Sequence, residues 1–195
     1  IASQSLKLDV PIVEVEELDD QRIRSFAQNY IGERAEDFLE RVLTKNRKKS
    51  SLLPLARNPY RLAILILLHQ QSPSGELPQN TGLLFHQMVK QLWMTELERR
   101  PNLSISYQDV LESLSRLAFA MIDSTMPTSV SRNYALLFIN NPDIMEAVKD
   151  ILLIAQDHEI SFFHQSMQEY FAAVALREVG VEHILATRPT FDSIF

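Results

Sequence analysis

His164 stands where two residue patterns meet. Residues 160–164 read I-S-F-F-H and are rich in β-formers, whereas from Gln165 onward Met167, Tyr170, Phe171 and Val174 recur at helical spacing. A strand therefore feeds straight into an amphipathic helix, with the imidazole at the junction. A helix N-terminus exposes unpaired N–H groups and the positive end of the helix dipole, so it suits an anion, and a histidine there can add a donor to a phosphate. The plainer reading is a histidine that caps its own helix, and spacing by itself favours that one. Other chemistry is harder to assemble. Asp157, His158 and Glu159 are consecutive, so their side chains do not easily converge on one substrate atom, and no nucleophile motif precedes them. The five histidines lack metal-binding spacing such as H-E-x-x-H, and the four glycines never form G-x-x-x-x-G-K. A phosphate-cradling loop needs those glycines, so this chain holds no P-loop NTPase centre of its own.

The elements that must position His164 are mostly helical. Residues 8–15 (L-D-V-P-I-V-E-V) alternate and are β-rich, and a single strand needs partners from elsewhere. Asp19 or Asp20 can cap a helix bearing Ile23, Phe26, Ala27, Tyr30 and Ile31, and a second helix carries Phe38, Leu39, Val42 and Leu43. Residues 45–49 (K-N-R-K-K) have no interleaved aromatic residue and read as a solvated loop. Asn58 suits an N-cap and Pro59 the first helical position, ahead of a helix that is apolar nearly all round and should be buried. Residues 72–80 form a loop, and Phe85, Met88, Val89, Leu92, Trp93 and Leu97 then make a core stripe, with His86 off it and exposed.

Pro101 and Asn102 open a second unit. Ser106 and Asp109 form a capping pair for a helix bearing Val110, Leu111, Leu114, Leu117, Ala118, Met121 and Ile122. A short extended piece at 127–131 follows, then a helix capped by Ser131 with Tyr134, Leu137 and Phe138, and another begun by Asn141 and Pro142 with Ile144, Val148 and Ile151. Residues 152–156 and 160–164 pair as a hairpin around Asp157, His158 and Glu159. Helix, strand, helix, helix and hairpin is the order of a winged-helix domain. The expected architecture is thus mainly α: a small helical domain followed by a winged-helix domain with a short β-hairpin.

Composition bounds the partners. The 195 residues are 46% apolar and 23% charged, which makes a globular chain with a sizeable core. A net charge of −6 disfavours nucleic acid and anionic membranes, and the third winged-helix helix (Asp143, Glu146, Asp150 against Lys149) would be repelled by DNA phosphates. The longest apolar run, residues 62–68, is far short of the roughly 20 residues of a membrane span. With no cysteine, disulfides and thiolate zinc sites are excluded, which fits a cytoplasmic location. The first residue is Ile1, mid-pattern, as in a piece of a longer protein.

Residues 162–176, F-F-H-Q-S-M-Q-E-Y-F-A-A-V-A-L, closely resemble the F-x-H-x-x-x-Q-E-[YF]-[FL]-A-A signature that closes the winged-helix part of NACHT-type signalling NTPases of the STAND class. Residues 55–59, L-A-R-N-P, followed by an apolar helix, resemble the family's first helical domain, and the stripe from Phe85 resembles its next helix. The resemblance covers most of residues 10–176, without the family's Walker motifs or sensor arginine. It implies that residues 1–15 end a nucleotide-binding domain, 16–100 form the helical domain, 101–180 the winged helix, and 181–195 begin a further helical segment. It also implies that His164 reaches the β-phosphate of ADP and Pro59 packs beside the adenine. ATP or ADP with magnesium would be bound in the whole protein, with none held tightly by this piece, which is itself no enzyme. The implied partners are the upstream nucleotide-binding domain and, in the active state, further copies of the protein. A helical adaptor without nucleotide dependence is the alternative.

Overall fold

The computed structural model describes residues 16–43, 52–71, 76–124 and 128–179. The strand expected at 8–15, the basic run 45–49 and the segment 181–195 lie outside them. The described chain is mainly helical, with a small three-stranded antiparallel sheet toward its C-terminal side. It divides into two compact units, residues 1–80 and 81–195.

In the first unit, α1 (Asp20–Ile31) starts where the Asp19 carboxylate accepts the Arg22 N–H at 2.7 Å. It stops at Gly32, whose φ of 54° a side chain would resist, and a 3-10 turn leads into α2 (Ala35–Leu43). Ile23 and Ala27 of α1 are buried with Phe38, Leu39 and Val42 of α2. Tyr30, expected on that buried face, is 64% exposed and stacks on Phe26 instead, with ring centroids 4.6 Å apart. After the short α3 (Leu53–Ala56), the Asn58 side chain accepts the Arg61 N–H and Pro59 opens α4 (Pro59–Gln71). Leu62, Ile64, Leu65, Ile66 and His69 are buried, but Ala63 and Leu67 are exposed, so this apolar helix is not covered all round.

The second unit begins with α5 (Thr81–Arg99), so compactness groups this helix with the later elements rather than with the helices before it. Phe85, Met88, Val89 and Trp93 are buried as the stripe requires. A turn at Pro101 and Asn102 precedes α6 (Tyr107–Asp123), where Ser106 and Asp109 satisfy each other's backbone N–H groups in a full capping box. Then come β1 (Val130–Ser131), α7 (Arg132–Phe138), α8 (Pro142–Val148), β2 (Leu153–Gln156), β3 (Glu159–Phe162) and α9 (Gln165–Val179). This order and the sheet order β1-β3-β2 are compatible with a winged-helix-like region. Ser131 and Asn141 cap α7 and α8 as expected.

The hairpin turn is two residues, Asp157 and His158, both with positive φ (50° and 71°), and Glu159 already pairs with Gln156. That is the twist a type I′ turn needs to match right-handed strands, adopted here without glycine. On α7 only Ala135 is buried, and Leu137 is 70% exposed. The most extensive helix pair is α6 with α9. Val110, Leu114, Leu117, Ala118 and Met121 of α6 are buried, as are Met167, Phe171, Ala172, Ala175 and Leu176 of α9, with Phe119 and Ile122 against Leu176. Phe162 at the end of β3 meets Phe171 at 5.6 Å between centroids, which ties the hairpin to α9 and fixes the junction between them.

Candidate functional site

His164 occupies the position just before the first helical residue of α9. Its carbonyl accepts the Met167 and Gln168 N–H groups at 2.9 and 3.3 Å, and its Nδ1 accepts the Ser166 N–H at 3.1 Å. The histidine is therefore the N-cap of α9, with an imidazole nitrogen doing what a serine or aspartate oxygen usually does. The residue is exposed, as is its neighbour Phe163, 54% accessible. Because Nδ1 accepts a proton-bearing nitrogen, the neutral ring carries its own proton on Nε2. The cap reading and the donor reading are thus compatible: one nitrogen serves the helix while the other carries the N–H.

Pro59, half-buried, sits at the first position of α4, and its neighbour Asn58 holds two donors of the following turn: Arg61 N–H on the side chain at 3.1 Å and Leu62 N–H on the carbonyl at 2.9 Å. Pro59 belongs to the first compact unit and His164 to the second.

Other polar groups shape the second unit. His86 is exposed but not idle, since its Nδ1 lies 3.3 Å from the Tyr170 hydroxyl of α9. Burial pushes the Tyr170 hydroxyl well above the usual tyrosine range, so it stays protonated and can donate to that nitrogen. Glu96, only 3% exposed, is held by Arg100 at 2.7 Å and Arg99 at 3.3 Å, and Arg100 also donates to the Glu146 carbonyl. Sequence reading passed over Glu96; the signal was its spacing of three and four from two arginines.

In the first unit His69 is buried, 2% exposed, with Nδ1 unpartnered among the described residues. Desolvation lowers its pKa below the ordinary histidine value. The Asp37 carboxylate, 3.8 Å from Nε2, pulls the other way, but it is 58% exposed and its field is screened by water. Arg41 and Arg34 add to the lowering.

The surface a winged helix would turn to DNA is acidic. Asp143 and Glu146 of α8 are exposed, and so are Asp157, His158 and Glu159 at the wing tip. Arg132 neutralises one of these charges by bonding the Glu146 carboxylate at 2.6 Å, and this bond holds that carboxyl below its usual range. A groove of about 330 Å³ on the sheet is lined by Ser129, Ile154, Gln156, Asp157, Glu159 and Ser161; neither His164 nor Pro59 lines it. Among the described residues no group of three or more His, Cys, Asp or Glu could hold a metal ion, and no helix is long and apolar enough to cross a membrane. The N–H groups and dipole at the start of α9 suit an anionic oxygen.

No protein-family model and no curated protein matches the chain.

Proposed function

We propose that the chain is the helical and winged-helix part of a NACHT-type STAND signalling NTPase, acting as the lid that reads the nucleotide state. The observation that carries this reading is the posture of His164. An exposed imidazole caps α9 through Nδ1 and so bears its proton on Nε2, at the positive end of a helix. A β-phosphate oxygen of ADP accepts that combination of donor and dipole.

In this reading the upstream domain binds ATP with magnesium, Pro59 packs beside the base, and His164 holds the β-phosphate in the ADP state. Exchange for ATP removes the lid's preference for the closed arrangement, and the surfaces so released assemble with further copies of the protein. The lack of cysteine suits a reducing cytoplasm. Magnitudes limit the role of any one residue. A hydrogen bond to a charged group contributes about 1.5–3 kcal/mol, whereas turning a switch from 1:99 to 99:1 takes about 5.5 kcal/mol. His164 is one part of the latch, and packing supplies the rest.

The Ser166 N–H bond also favours a second reading, a helical adaptor in which His164 only caps α9. Nucleotide extracted from the gently purified intact protein separates the two. The switch reading expects bound ADP, and expects His164→Ala to raise self-association without making it complete. Intact protein free of nucleotide, with a variant altered only in stability, would leave the adaptor.

A further inference from the structure

Leu18 and Asp20, on either side of the α1 cap, are tied at three points to Arg57, which lies 39 residues beyond Leu18 and next to the Asn58–Pro59 corner. The Leu18 N–H donates to the Arg57 carbonyl at 2.7 Å. In return the Arg57 guanidinium donates through Nη1 to the Leu18 carbonyl at 3.2 Å, and Nη2 lies 3.6 Å from the Asp20 carboxylate. Both backbone groups of Leu18 are thereby engaged by one residue. Arg57 is itself the last residue before Asn58, whose side chain and carbonyl hold the first turn of α4. The planar guanidinium fork meets the Leu18 carbonyl with one nitrogen and faces the Asp20 carboxylate with the other.

We propose that Arg57 is a positioning residue that couples this entering segment to the Pro59 corner, so that displacement of the segment loosens the corner and with it the grip on the nucleotide. The inference rests on the function proposed above and adds to it a route by which the preceding domain acts on Pro59. Arg57 itself touches no ligand in this scheme. Its guanidinium is partly exposed, so the tie is breakable, as a coupling element must be.

The test uses the intact protein and its Arg57→Ala and Arg57→Lys variants, read in two ways. Arg57→Ala keeps the backbone carbonyl that accepts the Leu18 N–H but removes the guanidinium bond to the Leu18 carbonyl, so the segment should open more readily and hydrogen exchange at the Leu18 amide should quicken roughly tenfold, with the amides buried on α2 unchanged. ADP release should quicken in the same variant, and Arg57→Lys, which keeps the charge near Asp20 but not the fork, should fall between. Unchanged exchange at Leu18 overturns the proposal. So does faster exchange with wild-type ADP release, provided His164→Ala speeds release; that result leaves the proposed function standing. Wild-type protein that never holds ADP sinks the proposed function, and the coupling with it.

Discussion

Two substitutions at His164 separate what it does for the helix from what it does for a ligand. Alanine removes the Nδ1 acceptor of the Ser166 N–H, and loss of an N-cap side chain costs about 1 kcal/mol, within a range of roughly 0.5–2. Asparagine is a better N-cap than histidine and keeps an acceptor at that distance, so His164→Asn should stay within about 0.5 kcal/mol of wild type. The bond lies at an exposed helix start, so no cavity term is added. Urea denaturation of the 195-residue chain gives both numbers, with the slope against denaturant expected to be the same for all three proteins. Alanine as stable as wild type would mean the Nδ1 contact contributes nothing, and the tautomer inferred from it would lose its support.

Further outcomes stem from other contacts. His69 is kept neutral by burial, so its folded-state pKa lies below the ordinary 6.5 and the unfolded chain takes up the proton first; stability should fall as pH drops below 6.5. His69→Leu should flatten that fall between about pH 7 and 5 in urea titrations, and an unchanged slope would contradict the assignment. Arg100→Ala leaves the buried Glu96 carboxylate with Arg99 alone and should cost about 1–3 kcal/mol by denaturation, more than Arg99→Ala, because Arg100 makes the shorter contact. His158→Gly relieves a positive φ in the hairpin turn and should stabilise by about 0.5–1 kcal/mol, read as a higher urea midpoint. The chain should bind a random DNA duplex no more tightly at about 50 mM than at about 200 mM salt; affinity rising steeply at low salt would show phosphate contacts that its acidic face argues against.

What was legible in the sequence was local. Asp19, Asn58, Ser106, Ser131 and Asn141 all cap helices, because a cap closes a hydrogen bond within three residues and needs no distant partner. The hairpin and the helices flanking it were readable for the same reason. Stripe spacing says which side chains share a face but not whether anything covers it, and so Tyr30, in the stripe of α1, stands outside. His164 was readable as a helix-start residue, yet the direction of each ring nitrogen depends on the bond to Ser166. The tie between Leu18 and Arg57 spans 39 positions and left no periodic trace at all.

The most direct measurement is the dissociation rate of ADP from intact wild-type protein and from its His164→Asn variant, which keeps the cap but, with a shorter side chain whose amide N–H groups stop short of the imidazole's outer edge, takes the donor away from the Nε2 position. Loss of that donor should speed release about tenfold or more while leaving stability unchanged. Equal rates from two equally stable proteins would contradict a phosphate-holding role for His164.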